Sequence, residues 1–358
     1  MKTIAKMALK PGMELAEDVL DHRGEVLIPA HTKVDADIIA RLARYSVMVV
    51  SIMEDVDYAT THFEKIRLSE DFKQFEQTYQ KFFPQYKDMM HRLVNDGATV
   101  DTAALLSIYH ELADPVKSGK KMLDYLYNMV PNEDELTHTH CLNSALIAGV
   151  FADWLGMRPD VKETLILCAY FYDIGKLKLP YELLWKPGKL TDVEYVQIKT
   201  HPLLGFDIVK NMPELSPFVK KSILMHHEHC DGTGYPSRLK MQQIDFYARH
   251  ISIIDAYEAM TSPRAYRQSL TPLQVLERFE ETGLLQYDYE ILRPIMKRIA
   301  DTQIGLTVKL SDETIWEIFL VNQLKFSKPV LKRTIPGSEQ FEFLDLMKRT
   351  DLKIVSIY

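Results

Sequence analysis

The spacing of apolar positions changes along the chain, and each change marks a different element type. In residues 1–62 the runs Val26-Leu27-Ile28 and Val47 to Ile52 are short and of β type. They flank a helical stretch from Asp35 to Tyr45, with Gly12, Gly24 and Pro29 as punctuation. This predicts a small α+β accessory module. From Phe63 to Leu93, Phe72, Phe75, Tyr79 and Phe82 recur at steps of three and four, which predicts an amphipathic helix that Pro84 kinks or ends. Such a stripe either packs on its own domain or forms a dimerising, signal-carrying face. Residues 63–130 are therefore expected to be a helical linker or bundle. Helical periodicity then continues to about Ala300, broken at Pro115, Pro131, Pro159, Pro187, Pro213 and the Gly232 to Pro236 loop. This large helical domain is expected over 131–304. After Gly305, Thr307 to Leu310, Ile315 to Val321, Pro329 to Leu331 and Leu352 to Ile357 read as strands, so 305–358 is expected to be a small β-rich appendage. The fold class predicted is mainly α.

A chain of 358 residues suits two or three folding units, and 46% hydrophobic with 26% charged residues is ordinary globular usage. No internal repeat or low-complexity linker interrupts it. A formal net charge of −7 gives no general basic field for duplex nucleic acid, so any nucleotide bound is expected to be small. Cys141, Cys168 and Cys230 lack a C-x-x-C spacing, which speaks against a disulfide framework or zinc knuckle and for a reducing compartment. Met1 to Asp18 carries no apolar leader core, and no segment reaches the roughly 18 apolar residues of a membrane span. The expectation is a cytoplasmic protein without a membrane partner.

The chemistry concentrates between Asn132 and Asp255, which hold seven of the 12 histidines: His138, His140, His201, His226, His227, His229 and His250. Imidazoles gathered with a few carboxylates supply the compact lone pairs that a borderline or hard cation takes. Asp173 follows a helix whose Val161, Leu165 and Cys168 share a face with Tyr172, and Gly175 is placed to end that helix. A carboxylate there can bridge metals while Lys176 faces an anionic phosphate; the plain alternative is an Asp beside a glycine turn with a solvated lysine. The string from His226 to Pro236 is more specific. Adjacent histidines on a helix point about 100° apart, so both ligate only where the backbone turns away, and the glycines permit a tight loop that brings Tyr235 inward. No nucleophile elbow, Walker A loop or dinucleotide fingerprint is present.

From about Thr137 to Leu276, well under half the chain, the sequence resembles the HD-GYP family, a subgroup of the HD phosphohydrolases that hydrolyses cyclic di-GMP. The matching motifs are His140; Tyr172-Asp173-Ile174-Gly175-Lys176; Lys186-Pro187-Gly188-Lys189-Leu190-Thr191; His201-Pro202-Leu203-Leu204-Gly205; His226-His227 with Asp231-Gly232-Thr233-Gly234-Tyr235-Pro236; and Asp255 to Ser262 with Arg264, Tyr266 and Arg267. Leu9-Lys10-Pro11-Gly12-Met13 is similar to an accessory domain often found before this one. The resemblance implies metal ligands at His140, Asp173, His201, His226, His227 and Asp255, with Asp173 bridging. It also implies a phosphate contact from Lys176 and substrate contacts from Gly234, Tyr235, Pro236, Arg264 and Arg267. One or two metal ions, iron or manganese, would activate water against a phosphodiester, with Asp173 and Lys176 as the catalytic residues and a linear dinucleotide as product.

Two positions depart from the family pattern. Tyr172 stands where the family has the His of its His-Asp pair, and is itself a further candidate ligand. Leu136 stands where three-metal members have a Glu, and the neighbouring Glu135 points about 100° away on a helix. The departures keep open a catalytically degenerate effector that binds cyclic di-GMP and signals through a homodimer of the Phe63–Leu93 helix. Hydrolysis of another nucleotide is a further alternative.

Overall fold

The computed structural model describes residues 2–5, 8–20, 26–44, 47, 49–53, 61–129, 135–184, 186, 188–262, 269–335 and 338–358. They divide into two compact units, Met1–Glu70 and Asp71–Tyr358.

The first unit contains β1 (Lys2–Ala5), β2 (Val19–Leu20), β3 (Val26–Ile28), α1 (Ala36–Arg44) and β4 (Val49–Ile52). β1 pairs antiparallel with β4 and β2 with β3, and Leu15, Leu42, Val50 and Ile52 fill the core. α2 (His62–Leu68) begins on a reciprocal capping box in which Thr61 and Glu64 satisfy each other's backbone amides.

The second unit opens with α3 (Glu70–Asp96), which runs without interruption through Pro84. Pro84 does not end the helix; the chain breaks at Ser69 instead, where the amide bonds back to Ile66. Pro84 is exposed, and the stripe on the opposite face is Phe72, Phe75, Tyr79, Phe83, Tyr86, Met90 and Leu93, so Phe83 takes the buried place expected of Phe82. The stripe is covered by its own unit. Phe72 and Phe75 pack on Tyr125, the Tyr79 hydroxyl donates to Asn143 Oδ1 at 3.0 Å, and the Tyr86 hydroxyl donates to the Tyr170 carbonyl at 3.2 Å. The dimer expected through this stripe is therefore not supported: the apolar face it needs is already buried.

α4 (Thr102–Ala113), α5 (Gly119–Asn128), α6 (Leu136–Trp154), α7 (Pro159–Phe171), α8 (Tyr181–Leu184), α9 (Asp192–Ile198), α10 (His201–Val209), α11 (Pro217–Met225) and α12 (Phe246–Thr261) follow. α6 is buried from His138 to Ala152 on every face, as a helix at the centre of a bundle must be. α7 and α12 lie against it and against α11. Pro159 and Pro217 sit at the first positions of their helices, where the missing amide costs nothing. α13 (Pro272–Arg278), α14 (Leu284–Gln286) and α15 (Tyr289–Asp301) complete the helical part.

β5 (Thr307–Leu310), β6 (Ile315–Leu320), β7 (Val330–Thr334), β8 (Phe341–Asp345) and β9 (Ile354–Ile357) form one antiparallel sheet in the order β8-β7-β6-β5-β9. β8 was not foreseen. Its Phe341 and Phe343 are exposed, so it shows no buried alternation that would mark it. Glu280 accepts the amide and hydroxyl of Ser327 and ties the sheet to the helices. The mainly α class with a small C-terminal sheet holds, and no helix among the described residues is long and apolar enough to cross a membrane.

Candidate metal centre

Five elements deliver the site residues to one place. His140 lies in the second turn of α6, Tyr172 and Asp173 leave the end of α7, His201 opens α10, His226 and His227 leave the end of α11, and Asp255 lies on α12. Their donor atoms form two groups that share Asp173: Asp173, His201, His226 and His227, and His140, Asp173 and Asp255. Within each group the atoms lie within 4.8 Å of one another.

Local backbone geometry makes this possible. α7 ends at Phe171 and the chain continues as a 3-10 turn over Ile174–Lys178, which turns Asp173 inward. Gly175 was expected to end the helix, but it is needed for a different reason. A Cβ there would stand 1.9 Å from the His201 carbonyl oxygen and 2.5 Å from the Gly205 amide nitrogen, so only glycine lets this turn touch α10. His226 caps α11, and the turn that follows lets the adjacent imidazoles converge instead of diverging, with ring centroids 4.2 Å apart. Gly234 is packed against the backbone of His227 and His229, and Glu228, buried, accepts the amides of Ser237 at 2.6 Å and Leu239 at 2.8 Å, closing the loop. Tyr235 then stacks on His227 at a centroid distance of 4.6 Å.

The hydrogen bonds set the tautomers. His201 Nδ1 donates to the Ile198 carbonyl and His226 Nδ1 to the Ile223 carbonyl, both at 2.8 Å, so the neutral rings turn Nε2 lone pairs inward. Those two Nε2 atoms are 3.1 Å apart and lie 3.2 and 3.5 Å from Asp173 Oδ1, a buried oxygen with no hydrogen-bond donor. Converging lone pairs without a proton between them are what a cation fits. Burial keeps His201 below its ordinary pKa, and burial with the neighbouring His226 holds His227 well below it, which preserves the neutral donors. Burial alone would raise Asp173, but the Lys176 ammonium beside it outweighs burial and holds the carboxyl well down.

The second group differs. His140 Nε2 lies 2.9 Å from Asp255 Oδ1 and 3.4 Å from Asp173 Oδ2, and its Nδ1 donates to Glu258. Burial opposes charge on this ring, yet the Glu258 and Asp255 carboxylates overcome it and raise its pKa to about 9. The Tyr172 hydroxyl is 2.6 Å from the same Nε2 and 3.0 Å from Ser144 Oγ. Burial first, then the Asp255 and Asp173 carboxylates, push this phenol well above its ordinary pKa, so it is a neutral donor. Glu258 is a residue the sequence reading passed over: buried, it also accepts Asn143 Nδ2 at 3.1 Å and the Ser262 hydroxyl. Its position one helical turn after Asp255 was the available signal.

Lys176 bonds to Asp173 and, with His140, Asp173, Leu136 and Lys186, lines a cavity of about 290 Å³. Leu136 offers no ligand atom, and Glu135 pairs with Lys87 at 2.6 Å. Gly234 and Pro236 flank Tyr235 in the loop beside the site. His138, His229 and His250 stand outside both groups: His229 bonds to Thr233 and His250 to the Phe246 carbonyl. Arg264, Tyr266 and Arg267 lie outside the described residues.

A sequence model of the HD domain matches residues 124–291, the segment that supplies every residue of both groups. Just under half of the chain thus matches the HD domain. The similarity extends to a cyclic di-GMP phosphodiesterase of Pseudomonas aeruginosa, 30% identical over 62% of this chain and 53% of the relative. A cyclic di-GMP phosphodiesterase of Thermotoga maritima is 31% identical over 49% of this chain and 48% of the relative. A 3′3′-cGAMP-specific phosphodiesterase of Vibrio cholerae is 33% identical over 42% of this chain and 34% of the relative. The chain spans about half the length or less of these curated relatives. The matched HD segment coincides with the helical bundle around α6, α7 and α12.

Proposed function

We propose that the HD-GYP domain is a metal-dependent phosphodiesterase that opens cyclic di-GMP to a linear dinucleotide, at a rate reduced by Tyr172. The observation that carries this is the shared carboxylate: Asp173 belongs to both donor groups, the arrangement a bridged pair of ions requires. His201, His226 and His227 would hold one ion with Asp173, and His140 and Asp255 would hold the other. Iron or manganese suits imidazole mixed with carboxylate. When bound, such ions supply Lewis-acid polarisation of a phosphoryl oxygen and a lowered pKa for water.

The protein's own groups do the rest. Asp173 fixes the spacing of the two groups, and Glu258 holds the His140 ring in one orientation through Nδ1. Lys176, on the cavity wall beside Asp173, presents its ammonium to a phosphate oxygen. Arg264 and Arg267 are assigned to the substrate by their place in the family motif. The names of the relatives support a cyclic dinucleotide as substrate, and 3′3′-cGAMP is the competitor to compare.

Tyr172 favours a slow enzyme, and in the limit a binding protein without turnover. Its hydroxyl lies 2.6 Å from His140 Nε2, the atom the second ion needs, and a neutral phenol is a weak ligand in its place. Chromatography of products from manganese- or iron-loaded protein tests this. Slow conversion of cyclic di-GMP by the wild type and at least about a tenfold gain in Tyr172→His is the expected result, the low end of what altering a metal-site partner does. Fast wild-type turnover with no gain in Tyr172→His would show that the tyrosine is a working part of the site.

A further inference from the structure

Lysines around the metal centre are mostly committed to carboxylates. Lys176 is bonded to Asp173, and Lys186 reaches both oxygens of Glu194 at 2.7 Å. Lys199 is different: among the described residues no carboxylate lies within ion-pair distance of it. Its ammonium is held instead by two aromatic rings, 4.3 Å from the centroid of Tyr195 and 5.0 Å from that of Tyr235.

This position is tied to the site on two sides. Lys199 caps α9, its amide bonding back to the Tyr195 carbonyl at 3.1 Å. The carbonyl of its neighbour Ile198 accepts the Nδ1–H that orients His201. On the other side, Tyr235 stacks on His227, so steps of 5.0 and 4.6 Å connect the ammonium to a donor ring of the metal centre. Tyr195 is half exposed, which places the group at the rim and open to solvent. A cation resting on aromatic faces keeps its charge available to an anion while its stem is held in few rotamers.

We propose that Lys199, between Tyr195 and Tyr235, binds the second, uncleaved phosphodiester of a two-phosphate cyclic nucleotide. The inference rests on the phosphodiesterase reading above and adds how the site selects its substrate. A cyclic dinucleotide carries two phosphates on opposite sides of one macrocycle. With one at the metal ligands and Lys176, the other must lie outside them, toward the rim. An ester with a single phosphate leaves Lys199 unused, so this residue separates cyclic dinucleotides from simple phosphodiesters.

Calorimetric titration of the metal-loaded full chain tests it, with cyclic di-GMP and with bis(p-nitrophenyl) phosphate, which has one phosphodiester. In Lys199→Ala, affinity for cyclic di-GMP should fall at least about tenfold more than affinity for the one-phosphate ester, with metal content as in the wild type, a usual cost of losing a charge-assisted bond. Lys199→Arg should recover most of the loss, and salt should weaken cyclic di-GMP binding less in Lys199→Ala than in the wild type. Equal affinity of wild type and Lys199→Ala for cyclic di-GMP overturns this inference alone. Equal losses for both ligands also overturn it, because Lys199 would then act only through the turn that holds His201. A metal-loaded wild type that does not bind cyclic di-GMP overturns the phosphodiesterase reading as well.

Discussion

At the scale of single residues, the chemistry of the site is decided by what each imidazole does with its second nitrogen. His201 and His226 give theirs to backbone carbonyls and His140 gives its own to Glu258, and a carboxylate partner raises the basicity of the opposite nitrogen. Replacing Glu258 with Gln keeps the shape and removes the charge. Metal affinity should drop about 10- to 100-fold in a titration monitored beside circular dichroism; unchanged affinity in a folded variant would contradict the role. The candidate ligand residues were legible through the family motifs they stand in, and the structure brings His140, Asp173, His201, His226, His227 and Asp255 together. Glu258 was not, since a glutamate on a helix is ordinary until its burial is known. Tyr172 was legible as a departure, but its bond to His140 depends on α6 and α7 lying side by side, which no local pattern states.

At the scale of elements, close backbone approach matters more than helix propensity. The turn after α7 and the start of α10 meet at Gly175 and Gly205, and the meeting sets Asp173 against His201. Gly175→Ala should destabilise the second unit by about 3 kcal/mol or more in denaturant unfolding, because the new methyl meets backbone and not a yielding side chain. A loss below about 1 kcal/mol would show that the turn can move. The sequence revealed the glycine but suggested the wrong cause, since a helix end and a tight contact ask for the same residue. Pro84 fails to end α3 for a related reason. One lost helix bond costs about 3 kcal/mol, whereas the seven buried stripe residues of α3 each return about 1.5–3 kcal/mol for full side-chain burial. Packing therefore carries the helix through the proline. β8 escaped notice because its aromatic residues face outward.

At the scale of the whole molecule, stability is linked to pH through groups away from the metal centre as well as through it. His250 is buried and neutral, its pKa lowered by burial to about 4. Below the ordinary histidine value the unfolded chain takes up a proton that the folded one refuses, so stability is lost as pH falls from about 6.5 to about 4. The loss reaches up to about 3 kcal/mol. In chelator, wild-type stability should fall more between pH 7 and pH 4.5 than that of His250→Gln, as read from denaturant midpoints; parallel losses would remove His250 from the explanation. The order of element types, short strands with a helix first, helices next and strands last, was readable from changes in apolar period, whereas the seating of the sheet on the helices was not, because it rests on contacts between distant residues, Glu280 with Ser327 and Glu277 with Lys328. The central claim is that a single carboxylate serves both donor groups. Elemental analysis of metal-loaded wild type and Asp173→Asn tests it most directly. The expected result is one or two ions per chain in the wild type and none in the variant; three ions or none in the wild type, or metal retained in Asp173→Asn, would contradict it.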